Sequence, residues 1–296
     1  MATVEVPQLN SEQLEDVVNT IDLKEPLLHY INYSIQLSAI HKFPFFTATN
    51  IDGKLFKKVP RTDNWRKDPR INADEQWGEE LYLAAKSDFD KGHLTKREDV
   101  QWGETIALAR SAADTTFYYT NAVPQHADLN QDIWLSLEDY ILHTETVNNA
   151  LRVCVFSGPV LSSNNPFFVT PILGDTIQLP VLFWKVVVYQ KADGKLHRVG
   201  FMMSQNRLLI DSGIVKGLAR KFAEKDLFMQ FDDAATYQVN VSLIETLTGM
   251  TMPEAIDNYT DQRSTKLVLE EIDIAPDSER ISGDEELGYV IQHLRL

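Results

Sequence analysis

The chain has 296 residues, 44% of them hydrophobic and 24% charged, and its formal net charge is −15 at pH 7. A chain of this size and composition can bury a sizeable core, so it needs no disulfide or structural metal to fold. The single cysteine, Cys154, excludes an intrachain disulfide and a cysteine zinc site, and the negative balance argues against a protein that coats DNA by bulk attraction.

The first half of the chain predicts short elements joined by polar segments. Apolar residues recur at helical spacing after a residue type that caps helices, and a run rich in β-branched and aromatic residues precedes a turn signal. In chain order, we expect a helix at 11–20 capped by Asn10 or Ser11, a strand at 45–51, a turn at Asp52-Gly53 and a loop at 60–80.

The second half predicts longer elements, and their order favours an α+β fold with a largely antiparallel sheet. We expect strands at 116–119, 151–157, 180–189 and 198–203, helices at 130–147, 213–224 and 241–248, and a hairpin turn at 192–195. Pro124 is expected to break regular pairing after the first of these strands. A boundary is expected near 255–270, where an acidic tail begins.

Positive charge concentrates in the first half despite the acidic balance. This clustering predicts a polarised surface with phosphate-facing chemistry in that half. The basic residues are Lys54, Lys57, Lys58, Arg61, Arg66, Lys67, Arg70, Lys86, Lys91, Lys96 and Arg97.

Three segments offer the groups that phosphodiester hydrolysis needs, namely a base, a cation site and a phosphate ligand. In Asp90-Lys91-Gly92-His93 the imidazole can accept a proton at neutral pH, and Asp90 can orient it or brace the loop. Arg61 can bind phosphate bidentately. A structural histidine and a surface arginine are the alternatives for these two residues.

The third segment, 120–138, is dense in amides around a strand-to-helix transition. Amide oxygens suit Mg²⁺, which takes few protein ligands and keeps several waters. Asn130 and Glu138 lie about 12 Å apart along a helix at 1.5 Å per residue, so Glu138 would hold the metal's waters and not the metal itself. The alternative is a capped helix with solvated amides.

The ordered set of motifs resembles the DNA/RNA non-specific endonuclease family, the ββα-metal or His-Me finger group. The resemblance covers roughly residues 28–250 and implies a ββα-metal nuclease fold with a central, largely antiparallel sheet flanked by helices. It divides the chain into an N-terminal extension (1–27), an endonuclease domain (28–255) and an acidic C-terminal extension (256–296). The motifs are Arg61, DKGH (90–93), TNAVPQ (120–125), LNQ (129–131), LE (137–138), FSGP (156–159), LPVLFWK (179–185) and YQVNVSLIETLTG (237–249).

The resemblance implies a role for each matched residue. His93 is the general base, Asn130 the single metal ligand, Glu138 the residue that orders metal-bound waters, Arg61 the group that stabilises charge on the phosphate, and Asn121 a residue that holds the substrate or the site. Asp90, Lys91, Gln125 and Arg66 are expected to bind substrate. Lys91 departs from the arginine usual in the family, which keeps the charge and loses the bidentate fork.

The resemblance further implies Mg²⁺ or Mn²⁺ as cofactor, DNA and/or RNA as substrate, and products with a 5′-phosphate. A homodimer and a regulatory or immunity partner stay open, as does a non-catalytic nucleic-acid- or protein-binding module on a nuclease scaffold. No stretch is apolar enough to span a membrane and no secretory signal is evident, so we expect a cytoplasmic protein, such as a defence or toxin effector.

Overall fold

The computed structural model describes residues 4–127, 133–216, 231–232, 235–271 and 289–296. The α-helices are α1 (Ser11–Glu15), α2 (Glu79–Tyr82), α3 (Ile106–Thr115), α4 (Ile133–Asp139), α5 (Asn206–Asp211) and α6 (Val241–Thr248). Short 3-10 helices span Gly53–Leu55 and Tyr119–Asn121, and a π-helix, Tyr140–Val147, continues directly from α4.

The strands are β1 (Leu28–His29), β2 (Tyr33–Leu37), β3 (Pro44–Asp52), β4 (Asp90–His93), β5 (Ala122–Gln125), β6 (Arg152–Pro159), β7 (Phe167–Phe168), β8 (Leu182–Gln190), β9 (Leu196–Ser204), β10 (Val215–Lys216), β11 (Thr236–Val239), β12 (Ile256–Asp257), β13 (Thr265–Lys266), β14 (Val268–Glu271) and β15 (Tyr289–Gln292).

Within the described residues, nine strands form one sheet in the order β1-β2-β3-β6-β8-β9-β11-β13, with β12 added beside β9. Every pairing along this order is antiparallel, and the β12–β9 pairing is parallel. The expected α+β fold with a largely antiparallel sheet is therefore confirmed.

The centre of this sheet is covered on both faces. Strand β8 is buried from Leu182 through Val188, which explains its nearly continuous apolar sequence. Helix α6 packs closely against β9, where a Cβ added at Gly200 would lie 3.0 Å from Ile244 Cδ1. The π-helix contacts the residue after β3, where a Cβ at Gly53 would lie 2.0 Å from the Thr146 carbonyl oxygen.

A separate two-stranded ladder, β4 with β5, precedes α4 in the chain. These three elements give the order β-β-α that the resemblance implies. Helix α4 and the π-helix bury Leu137, Ile141 and Leu142 in the main core.

Most element predictions are confirmed. Strands occur at the predicted segments 45–51, 151–157, 180–189 and 198–203, a hairpin turn joins β8 to β9, and α6 coincides with 241–248. Asn10 caps α1 with a reciprocal capping box, although the helix ends at Glu15 because Val17 instead pairs with Ser38.

Three element predictions are wrong. Residues 116–119 follow helix α3 and enter a 3-10 helix, although their aromatic and β-branched composition is typical of a strand. Pro124 does not interrupt pairing, because it lies opposite Lys91 within the β4–β5 ladder. The helix expected at 213–224 is replaced at its start by strand β10, and residues 217–224 lie outside the described part.

Both predicted extensions contact the central body. Gln8 forms a β-bridge with Thr251, while β12 and β13 pair with strands of the large sheet. The division into three regions stays a prediction. None of the helices in the described ranges has the length and apolar character needed to cross a membrane.

The fold predicts the effect of emptying the sheet core. Phe46, fully buried on β3, should on replacement by alanine lower the free energy of unfolding by about 3–5 kcal/mol, because the cavity is only partly refilled. Leu23→Ala, at a side chain 72% exposed, is the control and should change it by less than about 0.5 kcal/mol. Equal denaturant midpoints for the two variants would contradict this assignment of the core.

Candidate active site

The β4–β5 ladder positions His93. Its register pairs His93 with Ala122, Gly92 with Val123 and Lys91 with Pro124. A Cβ at position 92 would lie 2.1 Å from Oε1 of the buried Gln125 side chain, so any residue other than glycine there would have to displace Gln125. The ladder therefore closes tightly around the residue that precedes His93.

Aromatic rings surround the His93 imidazole. The Trp65 ring lies 4.7 Å away and the Phe117 ring meets it edge-on at 5.2 Å, measured between centroids. The Nε2 atom is shielded and has no hydrogen-bond partner among the described residues. Burial, reinforced by the nearby positive charges of Arg61 and Arg97, lowers the pKa of His93 to about 3. The imidazole is therefore neutral at physiological pH and can accept a proton.

His93 opens into a cavity of about 770 Å³ that gathers most of the predicted site residues. The lining residues are Arg61, Asp63, Trp65, Asp90, Lys91, His93, Lys96, Arg97, Glu98, Leu135, Glu138 and Asp139. Five predicted residues from three separate segments of the chain, Arg61, Asp90, Lys91, His93 and Glu138, thus share one cavity.

Arg61 is well placed to meet an anion. Its side chain is 62% exposed, its Nε donates a 2.9 Å hydrogen bond to Asp63, and its guanidinium lies 5.9 Å from the Phe117 ring. The same phenyl ring contacts His93, so a phosphate bound by Arg61 would lie beside the imidazole.

The surroundings of Asn121 fit the second of its two predicted roles, that of holding the site, and both roles stay predictions. Its amide is fully buried, accepts a hydrogen bond from Thr95 N at 2.9 Å and donates to the carbonyl oxygens of Thr95 (3.0 Å) and Thr116 (3.1 Å). Asn121 thereby braces the segment that follows His93.

Gln125, an expected substrate ligand, is 2% exposed and packs over Gly92 in this structure, and its substrate contact stays a prediction. Arg66 lies outside the His93 cavity and lines a neighbouring one of about 490 Å³, with its guanidinium bonded to Asp114 at 2.9 Å and stacked 4.2 Å from Tyr118. Its substrate contact stays a prediction for that neighbouring cavity.

Asp90 and Lys91 reach the His93 cavity in different ways. Asp90 is exposed, and within the described residues its carboxylate makes no hydrogen bond to the imidazole, so the expected orientation of His93 by Asp90 is not seen. The aromatic rings orient the imidazole instead. The Lys91 ammonium lies 5.9 Å from the Trp65 ring and 5.8 Å from the Tyr82 ring.

Sequence reasoning missed an ionic network at the base of the cavity. Lys185 Nζ lies 3.2 Å from Glu138 Oε1 and donates to Ser157 Oγ at 2.8 Å, while Lys96 pairs with Asp139. Burial raises the pKa of the neighbouring Asp99 to about 7, against the opposing charges of Lys96 and Lys185. A lysine inside the apolar run of β8 was the available signal, because a buried lysine needs a partner.

The cavity also offers oxygen-rich groups suited to a hard divalent cation. Glu98, Asp139 and His143 present ligand atoms within 4.8 Å of one another. The approach of His143 Nε2 to 3.6 Å from Glu98 Oε2 is the main cause that lowers the pKa of Glu98 to about 2. The Lys96 ammonium already lies against both carboxylates of this group. Asn130, the predicted metal ligand, lies outside the described residues.

Comparison with known proteins agrees with this geometry. A model of the family described as DNA/RNA non-specific endonuclease matches residues 10–258. The chain belongs to this family. The family resemblance inferred from the ordered motifs is thereby confirmed.

The matches with individual relatives cover only part of each relative's length. The chain is 36% identical to an uncharacterized Sinorhizobium fredii protein, y4fB, over 63% of this chain and 28% of that protein. It is 30% identical to mitochondrial endonuclease G of Bos taurus over 40% of this chain and 38% of that protein. A Serratia marcescens nuclease is 25% identical over 59% of this chain and 62% of that protein.

A solved structure shares the fold. A chain of the EndoG/EndoGI complex superposes with a TM-score of 0.54 at 19% identity, covering 76% of this chain and 84% of that chain. At this identity the likeness supports the α+β nuclease fold of the non-specific endonuclease family and nothing finer.

The bracing role of Asn121 predicts a loss of stability on mutation. Asn121→Ala leaves one buried N–H and two buried carbonyl oxygens without their partner, so the free energy of unfolding should fall by at least about 2 kcal/mol. Chemical denaturation measures this, with the exposed Asn164→Ala as control. An unchanged stability with a raised KM would instead favour a substrate contact.

The lowered pKa of His93 predicts a pH-dependent stability. In the unfolded chain the imidazole takes up a proton near its ordinary pKa of about 6.5, whereas in the folded chain it stays neutral down to about 3. Stability is therefore fully present above about pH 6.5 and falls toward pH 3, by at most about 1.4 kcal/mol per pH unit.

His93→Gln removes this titration and serves as the comparison. Denaturant unfolding of both proteins between pH 7.5 and 4.5 should show the wild type losing more stability than the variant as the pH falls. Parallel pH profiles for the two proteins would mean that His93 titrates normally in the folded state.

Proposed function

We propose that the protein hydrolyses phosphodiester bonds of DNA and RNA without sequence specificity, with His93 as the general base that activates water. The observation that carries the proposal is that the His93 imidazole, neutral at physiological pH, lines the same cavity as Arg61. General-base catalysis requires a neutral imidazole within reach of the attacking water.

The charge around His93 supports a base that strengthens when substrate binds. Arg61 and Arg97 help to hold the pKa of the imidazole low, and Asp63 opposes them. A phosphodiester bound at Arg61 would offset this positive charge and make protonation of His93 easier. The proton taken from water would then be stabilised on the imidazole beside the substrate phosphate.

Arg61 and Lys91 are the proposed phosphate ligands of the cavity. The Arg61 guanidinium can keep its bond to Asp63 through Nε and still present its terminal amino groups to an oxygen anion. Lys91 has no carboxylate within 4 Å among the described residues, which leaves its ammonium available to substrate. Because residue 91 is lysine and not arginine, it can bind a phosphate as a point charge but not through two parallel hydrogen bonds.

A divalent metal ion, Mg²⁺ or Mn²⁺, fits the donor chemistry of this cavity. Five carboxylates and four cationic side chains line it, so an anionic substrate meets a slight excess of negative charge there unless a cation is added. We propose that Asn130 holds the ion and that Glu138 holds its waters. When bound, the ion would neutralise charge on the phosphoryl and leaving oxygens.

A digestion assay tests the proposal. Purified protein should cut supercoiled plasmid and single-stranded RNA in the presence of Mg²⁺ or Mn²⁺ and leave both intact in EDTA. His93→Ala should lower the rate by at least ~10²-fold because no base remains to take the proton. The exposed His29→Ala should cut at the wild-type rate.

Two results would overturn parts of this proposal. Wild-type protein that binds nucleic acid and cuts neither substrate with any divalent ion would favour the non-catalytic binding module. Cutting that survives His93→Ala would place the base elsewhere.

Products that accept a label only after phosphatase treatment would carry the expected 5′-phosphate.

The chain spans 28% of the Sinorhizobium fredii protein and 38% of bovine endonuclease G. A nuclease activity is therefore assigned to this chain only as a proposal. A homodimer, a regulatory or immunity partner, a cytoplasmic location and a defence or toxin role stay predictions from the sequence.

A further inference from the structure

Two sequence motifs to which the proposed chemistry gives no role meet beneath the cavity. FSGP (156–159) lies on β6 and LPVLFWK (179–185) ends on β8, and the register pairs Ser157 directly with Lys185. The glycine of FSGP allows this close approach of strands and rings, since a Cβ at Gly158 would lie 2.5 Å from the Phe45 carbonyl oxygen. The two motifs thus place one serine and one lysine side by side in the sheet.

The lysine of this pair points toward the active site. Lys185 is 2% exposed, donates to Ser157 Oγ at 2.8 Å and lies 3.2 Å from Glu138 Oε1. The Glu138 side chain is itself only 10% exposed, yet it lines the His93 cavity. Because desolvating either charge alone is strongly unfavourable, the ammonium and the carboxylate depend on each other.

The neighbourhood of Glu138 explains why it needs an anchor outside its own helix. Helix α4 ends at Asp139, and the chain continues as a π-helix from Tyr140. A π-helix has a wider turn than an α-helix, so the change of helix type next to Glu138 leaves the direction of its carboxylate poorly defined by α4 alone. The large sheet, in contrast, holds Lys185 between β6 and β9 by backbone pairing on both sides.

We propose that Lys185 is a positioning residue that holds the Glu138 carboxylate at the cavity wall from the central sheet, with Ser157 orienting the ammonium. The inference rests on the proposed nuclease function for its consequence in catalysis. The contact between Lys185 and Glu138 itself does not depend on that function.

A double-mutant cycle on the full chain separates positioning from general support of the fold. Lys185→Met should slow cutting by ~10²-fold, as a misplaced active-site group does, and Lys185→Arg should recover part of this loss by restoring the charge. In the Glu138→Gln background, Lys185→Met should slow cutting no further than about threefold, because residues that act as a unit are not additive.

Thermal unfolding gives a readout that needs no activity. Lys185→Met strands a buried carboxylate, so the Glu138→Gln/Lys185→Met double variant should melt roughly 5 °C or more above Lys185→Met alone. Lys195→Met is the matched control, since Lys195 is an exposed lysine in the hairpin between β8 and β9. It should leave both the cutting rate and the Tm unchanged.

Each outcome decides the proposal. A double variant slower than Glu138→Gln by the full Lys185→Met factor, or a Tm that falls additively, would overturn it. Should Lys185→Met fail to fold, the rate comparison between Glu138→Gln and the double variant still decides. If wild-type protein does not cut, the nuclease proposal fails, whereas the Tm cycle still shows whether Lys185 holds Glu138.

Discussion

The short antiparallel ladder between β4 and β5 is the constraint on which the geometry around His93 depends. It has four residue pairs, lies outside the large sheet, and a ribbon of this length is only marginally stable alone. The Asn121 amide supplies rigidity through two bonds to Thr95 and one to Thr116, and Gln125 closes the other end over Gly92. The imidazole of His93 is therefore held between two braced points against its aromatic neighbours.

Local charge, and not the net charge of −15, governs what the cavity can bind. Arg61 and Arg97 lie near His93, with Asp63 paired to Arg61, whereas the carboxylates of Glu98 and Asp139 gather around the Lys96 ammonium. Such a division suits a phosphodiester on the basic side and a hydrated cation on the acidic side. Under the proposed function, the acidic balance of the chain would limit non-specific adhesion to nucleic acid and leave recognition to this cavity.

Much of the fold could be predicted because strands such as 45–51 and 180–189 carry their own pattern of apolar residues. The segment 116–119 could not, since its composition is typical of a strand while its conformation is set by the helix before it and by Asn121 after it. The candidate site could be predicted only as a set of residue types that occur in a fixed order along the chain. Whether an amide such as Asn121 or Gln125 faces substrate or backbone depends on burial, which spacing does not reveal.

The partner of Lys185 is a second feature that the sequence alone does not predict. A lysine among seven buried residues of β8 signals a buried charge, but only the topology brings Glu138 over it. Lys96, three residues after His93, binds Asp139. Adjacent carboxylates of α4 are therefore tied to the sheet and to the segment that carries His93. These two ties link the position of His93 to that of Glu138 through ion pairs, and the geometry of the cavity then no longer depends on the helix alone.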